Sequence, residues 1–124
     1  HQLTANELGN FYRHGAKPIM FVVNNSGYAI ERVLEEYPDY EYNDLAQWDY
    51  HKLPAALGCK DWFTAKVTTL GELDAAMATA SEADTACYIE VVMDKHDYPK
   101  AAQAMGTRWE ELYGVAERPG QPPK

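Results

Sequence analysis

The feature of the sequence that most constrains its fold is an apolar run at residues 18–23, which ends in the polar sequence NNSG at residues 24–27. The run does not alternate between apolar and polar residues, which is typical of a strand buried on both faces of a parallel sheet. From Tyr28 onward, apolar residues recur at helical spacing, and this pattern stops before Tyr37. A buried strand, a polar turn and a helix in direct succession predict an α/β fold.

Helices and strands alternate along the rest of the chain as well. Strands that alternate with helices pair in parallel and are joined by right-handed crossovers. The predicted fold is therefore a doubly wound α/β domain, with a mainly parallel sheet and helices on both of its faces. The first predicted helix spans residues 4–14, with a capping box of Thr4 and Glu7 and a stop at Gly15, and a strand at 18–24 follows it. Next come a helix from Tyr28, a loop at 37–50 and a short helix at 50–57 that ends at Gly58. The last elements are a strand at 62–68, a helix after the capping box of Thr69 and Glu72, a strand at 87–93, and a helix after Pro99 that ends at Gly114.

Apolar residues at helical spacing mark one face of two helices. They are Ile30, Val33 and Leu34 in the helix from Tyr28, and Leu70, Leu73, Met77 and Ala80 in the helix after Thr69. The last helix carries the apolar residues Ala102, Met105, Trp109, Leu112 and Tyr113.

The chain is expected to be one domain at residues 1–114, followed by a Pro/Gly-rich, disordered tail at residues 115–124. It does not begin with Met, and no strand precedes the first predicted helix. We therefore expect a fragment of a longer protein, truncated at the N-terminal edge of its sheet.

Charge and composition argue against several classes of function. A formal net charge of −8 disfavours nucleic acid as a partner, because phosphates need a basic face. No apolar run approaches the roughly 20 residues that cross a membrane. The two cysteines, Cys59 and Cys87, form no CxxC, which favours reduced thiols in an intracellular, cytoplasmic protein. The four histidines have no spacing typical of a zinc site.

The NNSG sequence lies where α/β folds bind ligands, at the carboxyl end of a strand and before a helix. The side-chain oxygen of an asparagine and a backbone carbonyl at a glycine are hard, neutral donors that suit Mg²⁺ or Ca²⁺. They leave the metal its charge for binding a diphosphate, and Gly27 would allow close approach and a positive φ if required. An ordinary turn explains the same residues, and residue types alone do not separate the two interpretations.

Glu31 also has two interpretations. It falls in the first turn of the helix from Tyr28, where a surface carboxylate is common. A carboxylate that points into a cleft beside apolar residues would instead have a raised pKa and could act as a general acid or base.

Two stretches carry a resemblance to a known family: HQLTANELGNFYRHGAKPIMFVVNNSGYAIERVL at residues 1–34 and YNDLAQWDYHKLPAALG at residues 42–58. Together they resemble the C-terminal, diphosphate-binding domain of thiamine diphosphate-dependent 2-oxo acid decarboxylases, such as the pyruvate and indolepyruvate decarboxylases. The similarity is dense over residues 1–58 and weaker but collinear to about residue 94. The resemblance implies a carboxy-lyase when full length, with thiamine diphosphate and Mg²⁺ as cofactors.

The resemblance also implies roles for individual residues. Glu31 matches the catalytic glutamate that assists decarboxylation and proton transfer, and Leu34 matches a position that lines the substrate pocket. Asn24 is expected to have a structural part at the strand end. The implied metal ligands are the Asn25 side chain and the Gly27 carbonyl, and the implied cofactor-binding residues are Asn25, Gly27, Tyr28, Ala29 and Ile30.

One departure from the family pattern limits these expectations. The family has glycine-aspartate-glycine just before the position of His1, and that aspartate is a third metal ligand, which this chain does not contain. The family also completes each active site with the N-terminal pyrimidine-binding domain of a second subunit, in a homodimer or homotetramer. We therefore predict that the isolated chain is inactive and binds the cofactor weakly at most.

Two alternatives stay open at this point. One is a carboligase related to acetohydroxyacid synthase, although such enzymes usually lack the GY-x-IE string found at residues 27–31. The other is a non-catalytic acidic α/β module that binds a protein through the acidic, aromatic segment at residues 37–50, since tyrosine and tryptophan are favoured at interfaces.

Overall fold

Three parallel strands form the sheet in a computed structural model that describes residues 1–35 and 37–113. The strands are β1 (Ile19–Asn24), β2 (Phe63–Val67) and β3 (Cys87–Val92), in the spatial order β1-β3-β2. Both strand pairs are parallel, and Glu90 on the central strand lies level with Val22 and Lys66. The predicted parallel α/β sheet is confirmed.

Helices alternate with the strands along the chain, as predicted. They are α1 (Leu8–Arg13), α2 (Ala29–Leu34), α3 (Leu53–Ala56), α4 (Leu70–Glu82) and α5 (Lys100–Tyr113), with short 3-10 turns at Ala5–Glu7, Glu41–Asn43 and Tyr50–Lys52. In the described ranges, no helix combines the length and apolarity that a membrane span needs.

Contacts divide the chain into two compact units. The first unit contains His1–Asn24 and Gln47–Met93, and therefore the whole sheet. The second unit contains the described residues of Asn25–Ala46 and those from Asp94 onward, and therefore α2 and α5.

The first unit has a hydrophobic cluster on each face of the sheet, which confirms the prediction of helices on both faces. On one face, residues from α1 and the Tyr50 region pack against β1 and β3 (Leu8, Val22, Tyr50, Cys59, Trp62, Ala86 and Tyr88). On the other face, α4 packs against β2 and β3 (Val67, Ala76, Ala80, Cys87 and Ile89). Both cysteines are free and buried, and burial raises the pKa of each thiol.

The prediction that β1 is buried on both faces is wrong. Ile19, Phe21 and Val23 are 42%, 46% and 57% exposed. They lie beside Cys87, Ile89 and Val91 on the face that α4 covers. Because α4 packs over β2 and β3, the edge strand β1 extends beyond the helix on this face.

The ends of the helices in the first unit follow the sequence signals with one exception. Thr69 accepts a hydrogen bond from the Glu72 amide and Glu72 reaches back to the Thr69 amide, so the second capping box is confirmed. Gly15 and Gly58 have φ of 67° and 89°, as expected of glycines that end helices. The capping box at Thr4 is wrong, because Thr4 makes no side-chain cap and the chain begins with a 3-10 turn.

The buried face of α4 agrees only in part with the predicted one. As predicted, Ala80 is buried and Leu73 packs against the same cluster. Ala76 is also buried, whereas Leu70 and Met77 are 81% and 40% exposed. The small side chains let the helix lie close to the strands, which leaves larger neighbours at its margin.

In the second unit, α5 packs on α2 at a glycine instead of at Met105, which is 47% exposed. A Cβ at Gly106 would stand 2.3 Å from the Val33 carbonyl oxygen, so only glycine permits this contact. The predicted contributions of Trp109, Leu112 and Tyr113 concern side chains outside those described, and the predicted stop at Gly114 and the tail also lie outside the described residues.

Candidate functional site

The predicted metal ligands lie in a short loop of the second unit, residues 25–28, which we call the Gly27 loop. Asn25 directly follows the last residue of β1 in the chain and is half-buried. Ser26 has a φ of 63°, a left-handed conformation that is uncommon for residues other than glycine. The positive φ in this loop therefore falls on the serine and not on Gly27.

Gly27 forms an isolated antiparallel bridge with Asp44. The Tyr28 amide donates to the Asn43 carbonyl at 2.9 Å, and the Leu45 amide donates to the Ser26 carbonyl at 3.1 Å. These bonds flank Gly27, so the N–H and the carbonyl of Gly27 itself take no part in the bridge. In this type of pair both backbone groups point away from the partner strand, so the Gly27 carbonyl points away from Asp44.

Gly27 is required by close packing within the chain itself. A Cβ at this position would stand 2.0 Å from the Asn43 carbonyl oxygen and 2.5 Å from the terminal Nη2 of Arg32. Real Cβ atoms do not approach other atoms so closely, so the loop could not keep this path with any other residue. The close approach predicted for a ligand is thus made by the segment at residues 38–45, which we call the facing segment.

Arg32 joins α2 to the facing segment. Its side chain is completely buried, and its guanidinium donates to the Pro38 carbonyl at 2.7 Å and to the Asn43 carbonyl at 3.1 Å. It also pairs with the Asp44 carboxylate, which is 46% exposed. Among the described residues, its Nε and the buried Nδ2 of Asn43 have no hydrogen-bond partner.

The remaining predicted site residues follow one another in α2. Tyr28 caps the helix and its carbonyl accepts the first helical hydrogen bond, from the Arg32 amide at 3.1 Å. The amides of Ala29, Ile30 and Glu31 therefore lie in the first turn, where the helix offers them no carbonyl.

Exposure along α2 differs from the predicted apolar face. Ile30 is 45% exposed, and Val33 and Leu34 are half-buried, whereas Arg32 is the residue that α2 buries. The Glu31 side chain is exposed to solvent. The described chain therefore does not enclose Glu31 in an apolar cleft, and its role as an acid or base stays a prediction.

Asn24, at the end of β1, belongs to the first unit and has the structural part expected of it. Its side-chain amide donates to the Glu90 carboxylate at 2.8 Å, and its backbone carbonyl accepts from the Met93 amide at 3.0 Å. Both bonds tie the end of β1 to β3.

Glu90 itself is completely buried and gathers several partners. The His51 backbone amide donates to it at 3.1 Å, the His51 Nδ1 lies 2.8 Å away, and Lys66 Nζ lies 3.6 Å away. Burial alone would raise the pKa of this carboxyl, but the hydrogen bonds from His51 and Asn24 and the charge of Lys66 bring its pKa below the ordinary value. We call Glu90, Asn24, His51 and Lys66 the Glu90 cluster.

Sequence reasoning missed Arg32, Asn43, Asp44 and Glu90. Asn43 and Asp44 belong to the YND string that carried part of the resemblance, so a signal for them was present. Nothing in the local sequence separates Arg32 from an exposed helical arginine, since its partners lie in a loop at residues 38–44.

The donor set of the Gly27 loop fits the expected metal. An Asn25 side-chain oxygen and a backbone carbonyl aimed away from its bridge are neutral oxygen ligands of the kind that Mg²⁺ takes. The loop backbone is held by hydrogen bonds on either side of Gly27.

Comparisons with known proteins identify a family that matches most of the chain. The family described as "Thiamine pyrophosphate enzyme, C-terminal TPP binding domain" matches residues 1–91. This range contains the Gly27 loop, α2 and the Glu90 cluster.

Several curated proteins are about 40% identical in sequence to this chain. The chain is 42% identical over 105 residues to an alpha-keto-acid decarboxylase of Mycobacterium leprae (strain TN), which covers 84% of this chain and 18% of the relative. It is 41% identical over 102 residues to the protein of that name in Mycobacterium avium (strain 104), and 39% identical over 102 residues to the one in Mycobacterium tuberculosis (strain ATCC 25618 / H37Rv), each match covering 80% of this chain and 18% of the relative. The chain thus spans about a fifth of the length of these relatives.

Proposed function

Because this chain belongs to the thiamine pyrophosphate enzyme family, as its C-terminal TPP-binding domain, we propose that it forms the diphosphate- and metal-binding part of a 2-oxo acid decarboxylase. The substrate would be pyruvate, indolepyruvate or a similar 2-oxo acid, and the product the corresponding aldehyde. Relatives named alpha-keto-acid decarboxylase at about 40% identity support this reaction class.

The observation that carries the proposal is the geometry of the Gly27 loop. The bridge bonds on either side of Gly27 turn its carbonyl away from the facing segment, and Asn25 stands two residues earlier on the same loop. In the proposal, the Asn25 side-chain oxygen and the Gly27 carbonyl bind Mg²⁺. Because both ligands are neutral, the metal keeps its full charge for a diphosphate.

Residues that follow the loop would contact the organic part of the cofactor. The backbone of Tyr28, Ala29 and Ile30 would lie along the diphosphate and thiazolium, and Leu34 would form one wall of the substrate pocket. Tyr28 and Ile30 are about half exposed, so a large ligand could reach them.

Glu31 would supply proton transfer. When bound, thiamine diphosphate provides the electron sink for the loss of CO₂. The exposed Glu31 carboxylate stands in the first turn of α2, directly after the cofactor-binding backbone, where it could hold or deliver a proton at its oxygen atoms. Burial of this carboxylate would have to come from parts of the protein beyond the described residues.

The proposed partner is the N-terminal pyrimidine-binding domain of a second subunit, in a homodimer or homotetramer located in the cytoplasm. This domain would complete the active site, so the 124-residue chain alone should show no decarboxylase activity. The third metal ligand would likewise come from outside the chain.

Product analysis tests the proposal. The full-length protein should be incubated with pyruvate or indolepyruvate, Mg²⁺ and thiamine diphosphate, and the carbon products should be identified. We expect CO₂ and the aldehyde in equal amounts, formed only when the cofactor is present. An acyloin or acetolactate as the main product would support the carboligase alternative. No product, with or without thiamine diphosphate, would support the interaction module.

A further inference from the structure

We propose that Arg32 is a positioning residue for the metal- and diphosphate-binding loop, holding the facing segment against Gly27. The inference rests on the proposed function and adds to it a residue that touches neither the cofactor nor the substrate. It is carried by the complete burial of the guanidinium and by the acceptors that surround it.

A buried guanidinium needs partners, because an unpaired charge in the interior of a protein is strongly destabilising. Arg32 has three, and all lie in the facing segment: the carbonyls of Pro38 and Asn43 and the carboxylate of Asp44. One side chain on α2 therefore fixes the facing segment at three points.

The facing segment in turn holds the Gly27 loop. The Asn43 carbonyl accepts two hydrogen bonds, one from the Arg32 guanidinium at 3.1 Å and one from the Tyr28 amide at 2.9 Å. This shared acceptor joins the buried charge directly to the backbone that the proposal assigns to the cofactor. The bond from the Leu45 amide to the Ser26 carbonyl holds the other side of the loop.

Close packing at Gly27 leaves little room for either group to shift. The space that a Cβ would need is filled by the Asn43 carbonyl oxygen at 2.0 Å and by Arg32 Nη2 at 2.5 Å. Loss of the guanidinium would leave a gap beside Gly27 and remove one of the two donors to Asn43. We infer that the Gly27 carbonyl would then lose its fixed direction, which metal ligation depends on.

A lysine cannot replace this arginine. The guanidinium is a planar fork of five donors, whereas an ammonium is a single point charge. Lysine would keep the charge beside Asp44 but could not reach Pro38 and Asn43 at the same time. The Arg32→Lys variant therefore keeps the positive charge but removes the set of hydrogen bonds that the guanidinium makes.

The test measures the dissociation constant of thiamine diphosphate, at fixed Mg²⁺, for the full-length protein by titration calorimetry. Arg32→Lys should raise this constant at least about tenfold, as expected from losing one or more charge-assisted hydrogen bonds. At saturating Mg²⁺ and cofactor, kcat should recover most of its value, because Glu31 is unchanged. The matched control is Arg13→Lys, at an exposed arginine of the first unit, which should leave both quantities unchanged.

Asp44→Asn is the second variant, since it keeps an acceptor oxygen and changes a half-exposed side chain. It should raise the dissociation constant about threefold or more. Unchanged affinity in a folded Arg32→Lys protein would overturn the inference, as would unchanged affinity in Asp44→Asn if Arg32→Lys does not fold. If the wild-type protein itself binds no thiamine diphosphate, the proposed function fails, and this inference fails with it.

Discussion

The side-chain amide of Asn24 donates a 2.8 Å hydrogen bond to the carboxylate of Glu90, a residue 66 positions away that is completely buried in the central strand. The bond fixes the last residue of β1, and the next residue in the chain is the predicted metal ligand Asn25. Glu90 thereby holds the strand residue that directly precedes the Gly27 loop in the chain.

Replacing Glu90 with glutamine should destabilise the chain. Glutamine keeps one acceptor oxygen, which can still accept from Asn24. Its NH2 group then stands where the carboxylate oxygen accepted from His51, and an NH2 group cannot accept those hydrogen bonds. We expect the free energy of unfolding to fall by about 1–3 kcal/mol, the usual cost of leaving buried donors unsatisfied. Urea denaturation would measure it, with Glu82→Gln, at an exposed glutamate at the end of α4, as the control. A loss no greater than that of the control would show that the cluster does not stabilise the fold.

The contribution of Glu90 should depend on pH. Its pKa in the folded chain lies below the ordinary value of 4.5, so the unfolded chain takes up the proton first as the pH falls. The stabilisation is therefore present above about pH 4.5 and is lost as the pH falls through the lowered folded-state pKa. The groups that face Glu90 are His51 from a 3-10 turn, Lys66 from β2, and Asn24 from β1. Burial, together with the charge of Glu90, raises the pKa of Tyr88.

The difference in unfolding free energy between the wild type and Glu90→Gln isolates this dependence. Other carboxyls whose pKa values are lowered by hydrogen bonds, at Asp39, Asp49, Glu72 and Asp84, are common to both proteins and should cancel. We expect the difference to be largest above about pH 5 and to shrink towards pH 3. A difference that grows with acidity would contradict the sign of the shift.

Alanine at Gly27 should damage the loop, whereas alanine at Gly71 should not. A Cβ at Gly27 would overlap the Asn43 carbonyl, but at Gly71, in the first turn of α4, no heavy atom lies within 4 Å. We expect Gly27→Ala to lower the free energy of unfolding by at least about 2 kcal/mol. Gly71→Ala should leave it unchanged or raise it by up to about 1 kcal/mol, because alanine favours helices. Equal stability of the two variants in thermal unfolding would mean that the contact between Gly27 and Asn43 is not a close one.

Glutamine at Glu31 should separate catalysis from binding. The substitution removes a titratable proton but keeps the size of the side chain, so kcat of the full-length protein should fall roughly a hundredfold or more. Affinity for thiamine diphosphate should stay nearly the same, because the metal ligands and the loop are unaltered. Steady-state kinetics together with cofactor titration would measure both quantities. An unchanged kcat would remove Glu31 from the mechanism.

The place of the Gly27 loop in the fold could be predicted from the sequence because its signals are local. An apolar strand, the NNSG turn and the following helix lie within one continuous stretch, and the structure places the Gly27 loop directly after β1. The parallel sheet followed in the same way from the alternation of strands and helices.

The supports of the site could not be predicted, because they depend on partners far along the chain. Arg32 and Glu90 resemble ordinary surface charges in sequence, and only the acceptors at residues 38–44 and the donors at Asn24 and His51 account for their burial. The same limit explains the errors at β1 and α4, where the apolar pattern is local but the covering surface is not.

Binding of thiamine diphosphate to the full-length protein, with and without Mg²⁺, tests the central claim most directly. The wild type should bind the cofactor only when Mg²⁺ is present, and Asn25→Ala should weaken binding roughly tenfold or more, since it removes one oxygen ligand of the metal. Asn6→Ala, at an exposed asparagine of the first unit, is the control and should bind like the wild type. Equal, Mg²⁺-dependent affinity of the wild type and Asn25→Ala, or no binding by the wild type, would contradict the claim that the Gly27 loop holds the metal and the diphosphate.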